Sequence, residues 1–140
     1  MTSARISLSE LEELAWEGVP LVGRLDCSIE KLERGHVVVR LPYRDELLRP
    51  GGTICGPAMF ALADIALYAA VLSEIGPVPL AVTTDMTMHF LSRPAPGDLL
   101  ASGELLKIGK RLAIGEVTLR AVKHEEIVSH AVGTYAIPPR

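Results

Sequence analysis

The sequence predicts an α+β domain in which one long apolar helix packs against an antiparallel sheet. Three observations predict it. An apolar stretch from Ala58 to Leu72 lies between Pro57 and Gly76-Pro77, residues that suit the first turn and the end of a helix. Two β-branched or extended runs precede it and four follow it. The chain of 140 residues, 49% hydrophobic and 22% charged, has the size of a single domain, which buries roughly 68–70% of its unfolded surface without help from disulfides or a structural metal. One domain over 1–140 is therefore expected, with residues 1–18 forming a peripheral N-terminal helix.

In chain order, Ser9 is placed to cap a short amphipathic helix to Trp16, with Glu12 at the capping-box position and Gly18 as the stop. An extended segment from Leu21 to Leu32 and the run His36 to Leu41 (HVVVRL) then read as a hairpin around Glu33-Arg34-Gly35. The stretch Pro42 to Gly56 is rich in Pro and Gly and shows no periodicity, so it reads as a loop long enough to have a binding role. Gly56 then sits at the N-terminus of the central helix. From Val82 to Leu91 the sequence alternates, with Thr84, Met86, Met88 and Phe90 on one face and Thr83, Asp85, Thr87 and His89 on the other. Leu99 to Ile108, Leu112 to Val122 and Ile127 to Ile137 follow as three further strands, broken at Gly109-Lys110 and His124-Glu125-Glu126. A helix that is apolar all round must be covered all round. A strongly curved sheet covers most of it, and a second subunit can cover the remainder.

Composition excludes several classes. A net charge of −3 and a pI near 5.8 leave no basic footprint for nucleic acid. Cys27, Cys55 and the four histidines show no zinc-ligand spacing, so no metal is expected. The N-terminus carries Glu10, Glu12 and Glu13 where a secretory signal needs an apolar core and a transit peptide avoids acids. The apolar stretch is shorter than the roughly 20 residues that span a bilayer and contains Asp64. A cytoplasmic protein with no membrane partner is the expectation.

Asp64 is the sharpest signal for chemistry, because a carboxylate in an apolar helix is costly unless paired, hydrogen-bonded or functional. Gly56 offers an N–H at the positive end of the same helix, suited to an anion or to a carbonyl gaining negative charge. Eight residues of helix separate the two by about 12 Å. Groups acting on one carbonyl must lie within a few ångström of it, so the spacing implies two copies of the helix and a site across a two-fold interface. Other candidates are weaker. Cys55 beside the helix N-terminus has no neighbouring His to make it a nucleophile. His89 reads as a surface or interface residue, and Asp85 and Thr83 on its side face another site or the dimer seam. Lys110 and Arg111 follow Gly109 in a turn suited to a phosphate. Gly103 to Lys110 fails as a phosphate-binding loop, since Arg111 stands where Ser or Thr is required. Met59, Phe60 and Tyr68 are the helix residues expected to line a pocket.

The stretch Arg49 to Leu72, RPGGTICGPAMFALADIALYAAVL, resembles the hotdog-fold acyl-CoA thioesterases of the phenylacetyl-CoA (PaaI-like) type, and the order of elements agrees over nearly the whole chain. That family has an Asn, six residues later a His-Gly-Gly opening the central helix, and an acid nine positions after the His. Counted back from Asp64, Cys55-Gly56-Pro57 falls on the His-Gly-Gly and Arg49 on the Asn. The acid and first glycine match; the His, second glycine and Asn do not. Thr83-Thr84-Asp85-Met86 is similar to the family's strand motif, in which a Ser or Thr at the position of Thr83 helps hold water or the acid. The resemblance implies a hotdog dimer or dimer of dimers, with Asp64 as base or nucleophile, the Gly56 N–H polarising the thioester carbonyl and Thr83 in support. Arg49, Cys55, Met59, Lys110 and Arg111 stand as the substrate-binding set. The implied reaction is hydrolysis of an acyl-CoA thioester without cofactor, CoA being part of the substrate. The rival readings are an acyl-CoA or acyl-chain binding protein without turnover, which the replacements at Arg49 and Cys55 favour, and a hotdog hydratase or dehydratase, which the missing His disfavours.

Overall fold

The computed structural model describes residues 3–139. Its first helix, α1 (Leu8–Glu12), is capped by Ser7. The Ser7 hydroxyl accepts from the Glu10 N–H and the Glu10 carboxylate accepts from the Ser7 N–H, both at 3.1 Å. The capping box therefore falls two residues before the expected Ser9–Glu12 pair. The helix widens into a π turn, Glu13–Glu17, and after Gly18 a further short helix, α2 (Pro20–Gly23), opens on a proline. The sequence assigns this part to a strand, but Pro20 at the first helical position holds the chain in a helical turn. Leu11 and Ala15 are buried, so the segment packs its inner face onto the core.

The first strand, β1 (Ser28–Glu33), starts only after this helix and turns through Arg34-Gly35 into β2 (His36–Leu41). Gly35 takes φ +79°, a value costly for any residue with a Cβ. The stretch Pro42 to Gly56, read as a loop without periodicity, contains a 3₁₀ turn, Asp45–Leu47, and a hairpin of two-residue strands, β3 (Leu48–Arg49) with β4 (Thr53–Ile54), closed over Pro50-Gly51-Gly52. Then come α3 (Gly56–Ile75), β5 (Val82–Phe90), β6 (Leu99–Ile108), β7 (Leu112–Ala121) and β8 (Glu126–Ala136). The bounds lie within one residue of those expected. Six strands form one antiparallel sheet in the order β1-β2-β6-β7-β8-β5.

The sheet wraps α3. By length and composition this helix could cross a membrane, yet its most apolar stretch is 67% buried in the protein. It is the core helix. Leu62, Ala63, Ala66, Leu67, Ala69 and Ala70 are fully buried, positions that circle the helix rather than forming one stripe. Close approach is possible because three strands lack side chains where the helix docks. A Cβ on Gly103 would lie 2.8 Å from the Ala66 carbonyl oxygen, and a Cβ on Gly115 or Gly133 would lie 2.5 or 2.7 Å from a Leu67 methyl. Neighbouring strands β6, β7 and β8 thus present a trough that seats Ala66 and Leu67.

Candidate active site

Asp64 stands in the middle of α3, half-buried, its neighbours on the helix apolar. Two hydroxyls converge on one of its oxygens. Thr83 Oγ1 donates to Asp64 Oδ1 at 2.8 Å and Tyr135 OH donates to the same atom at 2.6 Å, with the phenol also 3.3 Å from the Asp64 carbonyl. No described residue hydrogen-bonds Oδ2, which is left for water or a reacting group. Burial, with the Asp64 charge added to it, holds the Tyr135 phenol above its ordinary range, so it remains a protonated donor. Tyr68 stacks on Tyr135 with ring centroids 5.8 Å apart, and its hydroxyl donates to the Pro79 carbonyl at 3.1 Å. The carboxylate opens on a cavity of about 310 Å³ that Ala15, Val19 and Val22 close from the N-terminal segment.

Thr83 reaches Asp64 because of a β-bulge. Pairing of β5 with β8 puts Thr83 opposite Tyr135 and Asp85 opposite Thr134, so Thr84 is an extra residue. An extra residue inverts the alternation on either side of it. Thr83 therefore turns inward together with Met86 and Met88, while Asp85, Thr87 and His89 are exposed. This corrects the sequence reading, in which Thr83 shares a face with Asp85 and His89.

Gly56 belongs to another cavity, of about 510 Å³, lined by Arg49, Gly51, Thr53, Met59, Phe90, Ser92 and Arg93 among others. The Phe90 ring lies 3.7 Å from where a Gly56 Cβ would be. No residue lines both this cavity and the one at Asp64. The structure thus brings Asp64 together with Thr83, and Gly56 with Arg49 and Met59, but does not join the two groups within one chain.

The remaining candidates lie apart from both. Cys55 precedes the helix without a side-chain capping bond, and its N–H donates to the Leu47 carbonyl at 2.8 Å. Lys110 and Arg111 are exposed in the β6–β7 turn and line neither cavity. Phe60 is exposed, whereas Tyr68 lines the Asp64 cavity and Met59 the Gly56 cavity. Sequence reasoning missed Tyr135 and Arg93. The one signal for Tyr135 was a lone aromatic in an alternating strand. Arg93 gave none, standing in a Pro-rich turn.

Comparison with known proteins places this geometry. The model of the Thioesterase superfamily matches residues 51–128, from the β3–β4 hairpin through the central helix to the start of β8. The solved structure of a "putative thioesterase" from Silicibacter sp. TM1040 is 39% identical, with a TM-score of 0.87 over 99% of this chain and 96% of that one. A mutant of the phenylacetic acid degradation protein PaaI from Thermus thermophilus is 25% identical, with a TM-score of 0.76 over 86% of this chain and 100% of that one. A Halobacterium salinarum protein named a "putative esterase" is 31% identical over 105 residues, 71% of this chain and 68% of the relative. With the helix wrapped by six strands, Asp64 on that helix and Gly56 at its start inside the matched segment, the chain belongs to the thioesterase superfamily and has its hotdog fold.

Proposed function

We propose that the protein hydrolyses acyl-CoA thioesters at a site formed between two copies of the chain. The observation that carries this reading is the Asp64 carboxylate, which lines a cavity with Oδ1 clamped by Thr83 and Tyr135 and Oδ2 bonded to no described residue. A carboxylate so held is oriented for one task, to take a proton from water or to attack a thioester carbon directly. The Gly56 N–H, at the positive end of α3, stabilises the oxyanion that forms. When water attacks, collapse of the tetrahedral species breaks the C–S bond, the proton taken by Asp64 passes to the leaving sulfur, and the free acid remains. When Asp64 attacks, collapse expels the CoA thiolate, which takes its proton from solvent, and leaves an acyl anhydride on Asp64 that water then hydrolyses to the free acid. The reaction asks for no metal or organic cofactor.

About 12 Å of helix separates the two groups, and the separate cavities support a two-fold arrangement in which Gly56 of one chain faces Asp64 of another. Strand β5 ends the sheet and exposes Val82 and Phe90, an unpaired edge of the kind a second copy covers. The exposed Lys110 and Arg111, near the end of the sheet where Val82 and Ala136 pair, suit the CoA phosphates. Two free cysteines fit a reducing cytoplasm. A hydratase is disfavoured because no described histidine hydrogen-bonds Asp64: His36 bonds Ser102, His130 bonds Glu116, and His89 pairs across the strands with His130.

Arg49 and Cys55, standing where the family has Asn and His, favour a second reading of binding without turnover. A thiol-release assay over acyl-CoAs of graded length and aromatic character decides. Release of free thiol from at least one substrate at an enzymatic rate is expected. Tight acyl-CoA binding with no release from any substrate would establish the second reading instead.

A further inference from the structure

Arg49 and Arg93, both exposed, line the cavity at Gly56, and the fold holds the segments that carry them side by side. Arg49 ends β3 in a hairpin whose return, Gly51 and Gly52, runs through φ +100° and +77°, and the Gly52 N–H donates to the Arg49 carbonyl at 3.0 Å. The other strand of that hairpin is tied to the neighbouring segment, for the Ile54 N–H donates to the Pro94 carbonyl at 3.0 Å. That segment is itself anchored, since the Leu91 and Ser92 N–H groups share the Val128 carbonyl at 2.9 and 3.2 Å. The two arginines therefore sit on two fixed segments bound to each other beside the cavity.

Neither guanidinium is neutralised. Arg40 and Arg44 each have carboxylate partners, whereas Arg49 has only its neighbour's carbonyl at 3.4 Å and Arg93 forms no ion pair among the described residues. The cavity lining includes no acid. The Glu126 carboxylate accepts from the lining residue Ser92 at 2.7 Å and forms no ion pair with either arginine among the described residues. A chain of net charge −3 thus concentrates two uncompensated cations and the Thr53 hydroxyl in a concave space, a setting in which a positive field is focused on a bound anion. Planar, forked guanidinium groups match oxyanions better than lysines do.

We propose that Arg49 and Arg93 form a clamp for a carboxylate carried on the acyl portion of the ligand. The clamp deepens the hydrolase reading and rests on it, naming acyl groups that end in a carboxylate as the substrate class. The anion site itself does not depend on turnover.

Calorimetric titration with glutarate and, separately, adenosine 3′,5′-bisphosphate tests the clamp on the wild type and on Arg49→Gln, Arg93→Gln and the double variant, with Arg120→Gln on β7 as the control. Each cavity variant should weaken binding about tenfold, the size of a lost charge-assisted hydrogen bond, with an unchanged melting temperature. Weakened glutarate binding in the cavity variants assigns the clamp to a carboxylate. Failure of glutarate to bind the wild type, weakening of bisphosphate binding alone, or equal effects from Arg120→Gln, overturns the proposal. Succinyl and butyryl thioesters of N-acetylcysteamine, which lack phosphate, supply the kinetic arm. The succinyl preference should fall about tenfold in each cavity variant if the carboxylate is the ligand. If no thioester is hydrolysed by any form, the hydrolase reading fails while the titrations still judge the clamp.

Discussion

Asp64→Asn and Asp64→Ala together separate what the carboxylate does for the reaction from what it does for the fold. In the wild type, Thr83 at 2.8 Å and Tyr135 at 2.6 Å both donate to Oδ1. An Asn placed in the same rotamer offers its carbonyl oxygen to both donors and its amide nitrogen where Oδ2 stood, so no buried donor loses its acceptor. Stability should change by less than about 1 kcal/mol, equivalent to about 4 °C or less in Tm. The amide cannot accept a proton from water or attack a thioester, and loss of a general base lowers the rate by about 10²- to 10⁴-fold, or about 2.7–5.4 kcal/mol of transition-state free energy. Asp64→Ala should lose the same activity, but it also removes the acceptor of the Thr83 hydroxyl and leaves the hydroxyl of buried Tyr135 only its longer, 3.3 Å contact to the main-chain carbonyl of residue 64. That adds about 1–3 kcal/mol of destabilisation. Steady-state thiol release and thermal unfolding on the same preparations read both effects. Wild-type turnover by a folded Asn variant would refute the assignment of Asp64 to the chemistry. Equal melting temperatures for the Asn and Ala variants would refute the hydrogen-bond account.

Assembly is tested by refolding Asp64→Asn together with Gly56→Val, each inactive alone. If sites form across a two-fold, half of the randomly paired dimers are mixed and one of their two sites is intact, so about a quarter of the wild-type activity should return; no recovery from proven mixed dimers would place each site within one chain. Burial pushes the Cys27 thiol up to about 12, so in native protein at pH 8 a thiol reagent should label Cys55 and leave Cys27 unmodified until denaturant is added, as mass spectrometry of the labelled peptides would show. The hydrogen bond from Arg40 holds the Glu30 carboxyl below its ordinary range, which is stability present above the unfolded-state pKa and lost as pH falls through the folded one. Melting curves of the wild type and Glu30→Gln should therefore differ at pH 7 and converge as the solution is acidified below the carboxylate range. Gly115→Ala drives a methyl to 2.5 Å from Leu67 and 2.8 Å from the Glu104 carbonyl oxygen, and should cost about 1–3 kcal/mol of stability by chemical denaturation.

Much of the architecture was legible because strong local punctuation marked it. Pro57 and Gly76 bracket the central helix, and Gly35 and Gly109 mark turns between strands. The short helix at Pro20–Gly23 was not, since four residues are too few for periodicity to tell a helix from a strand. The bulge at Thr84 was hidden for a different reason. Alternation in VTTDMTMHF can be read without a break, and only pairing with β8 shows that one residue is skipped. Asp64 announced itself as a charge in apolar surroundings, but its partner Tyr135 lies 71 positions away and has no local reason to be noticed. Likewise the placing of Arg49 and Arg93 on one cavity goes with the bond between Ile54 and Pro94, a contact that neither segment's composition encodes.

The three glycines behind α3 carry a consequence for how such a site can be inherited or moved. Ala66 and Leu67, within one turn of Asp64, are seated against Gly103, Gly115 and Gly133, so the helix has one axial stop. Sliding it by a residue's rise, about 1.5 Å, would drive larger side chains against strand backbone and carry the carboxylate out of reach of two hydroxyls that sit on separate strands. Positions with no side chain at all thereby set the aim of the carboxylate. Grafting Asp64, Thr83 and Tyr135 onto another sheet-wrapped helix without those glycines would transfer the functional groups and lose their alignment.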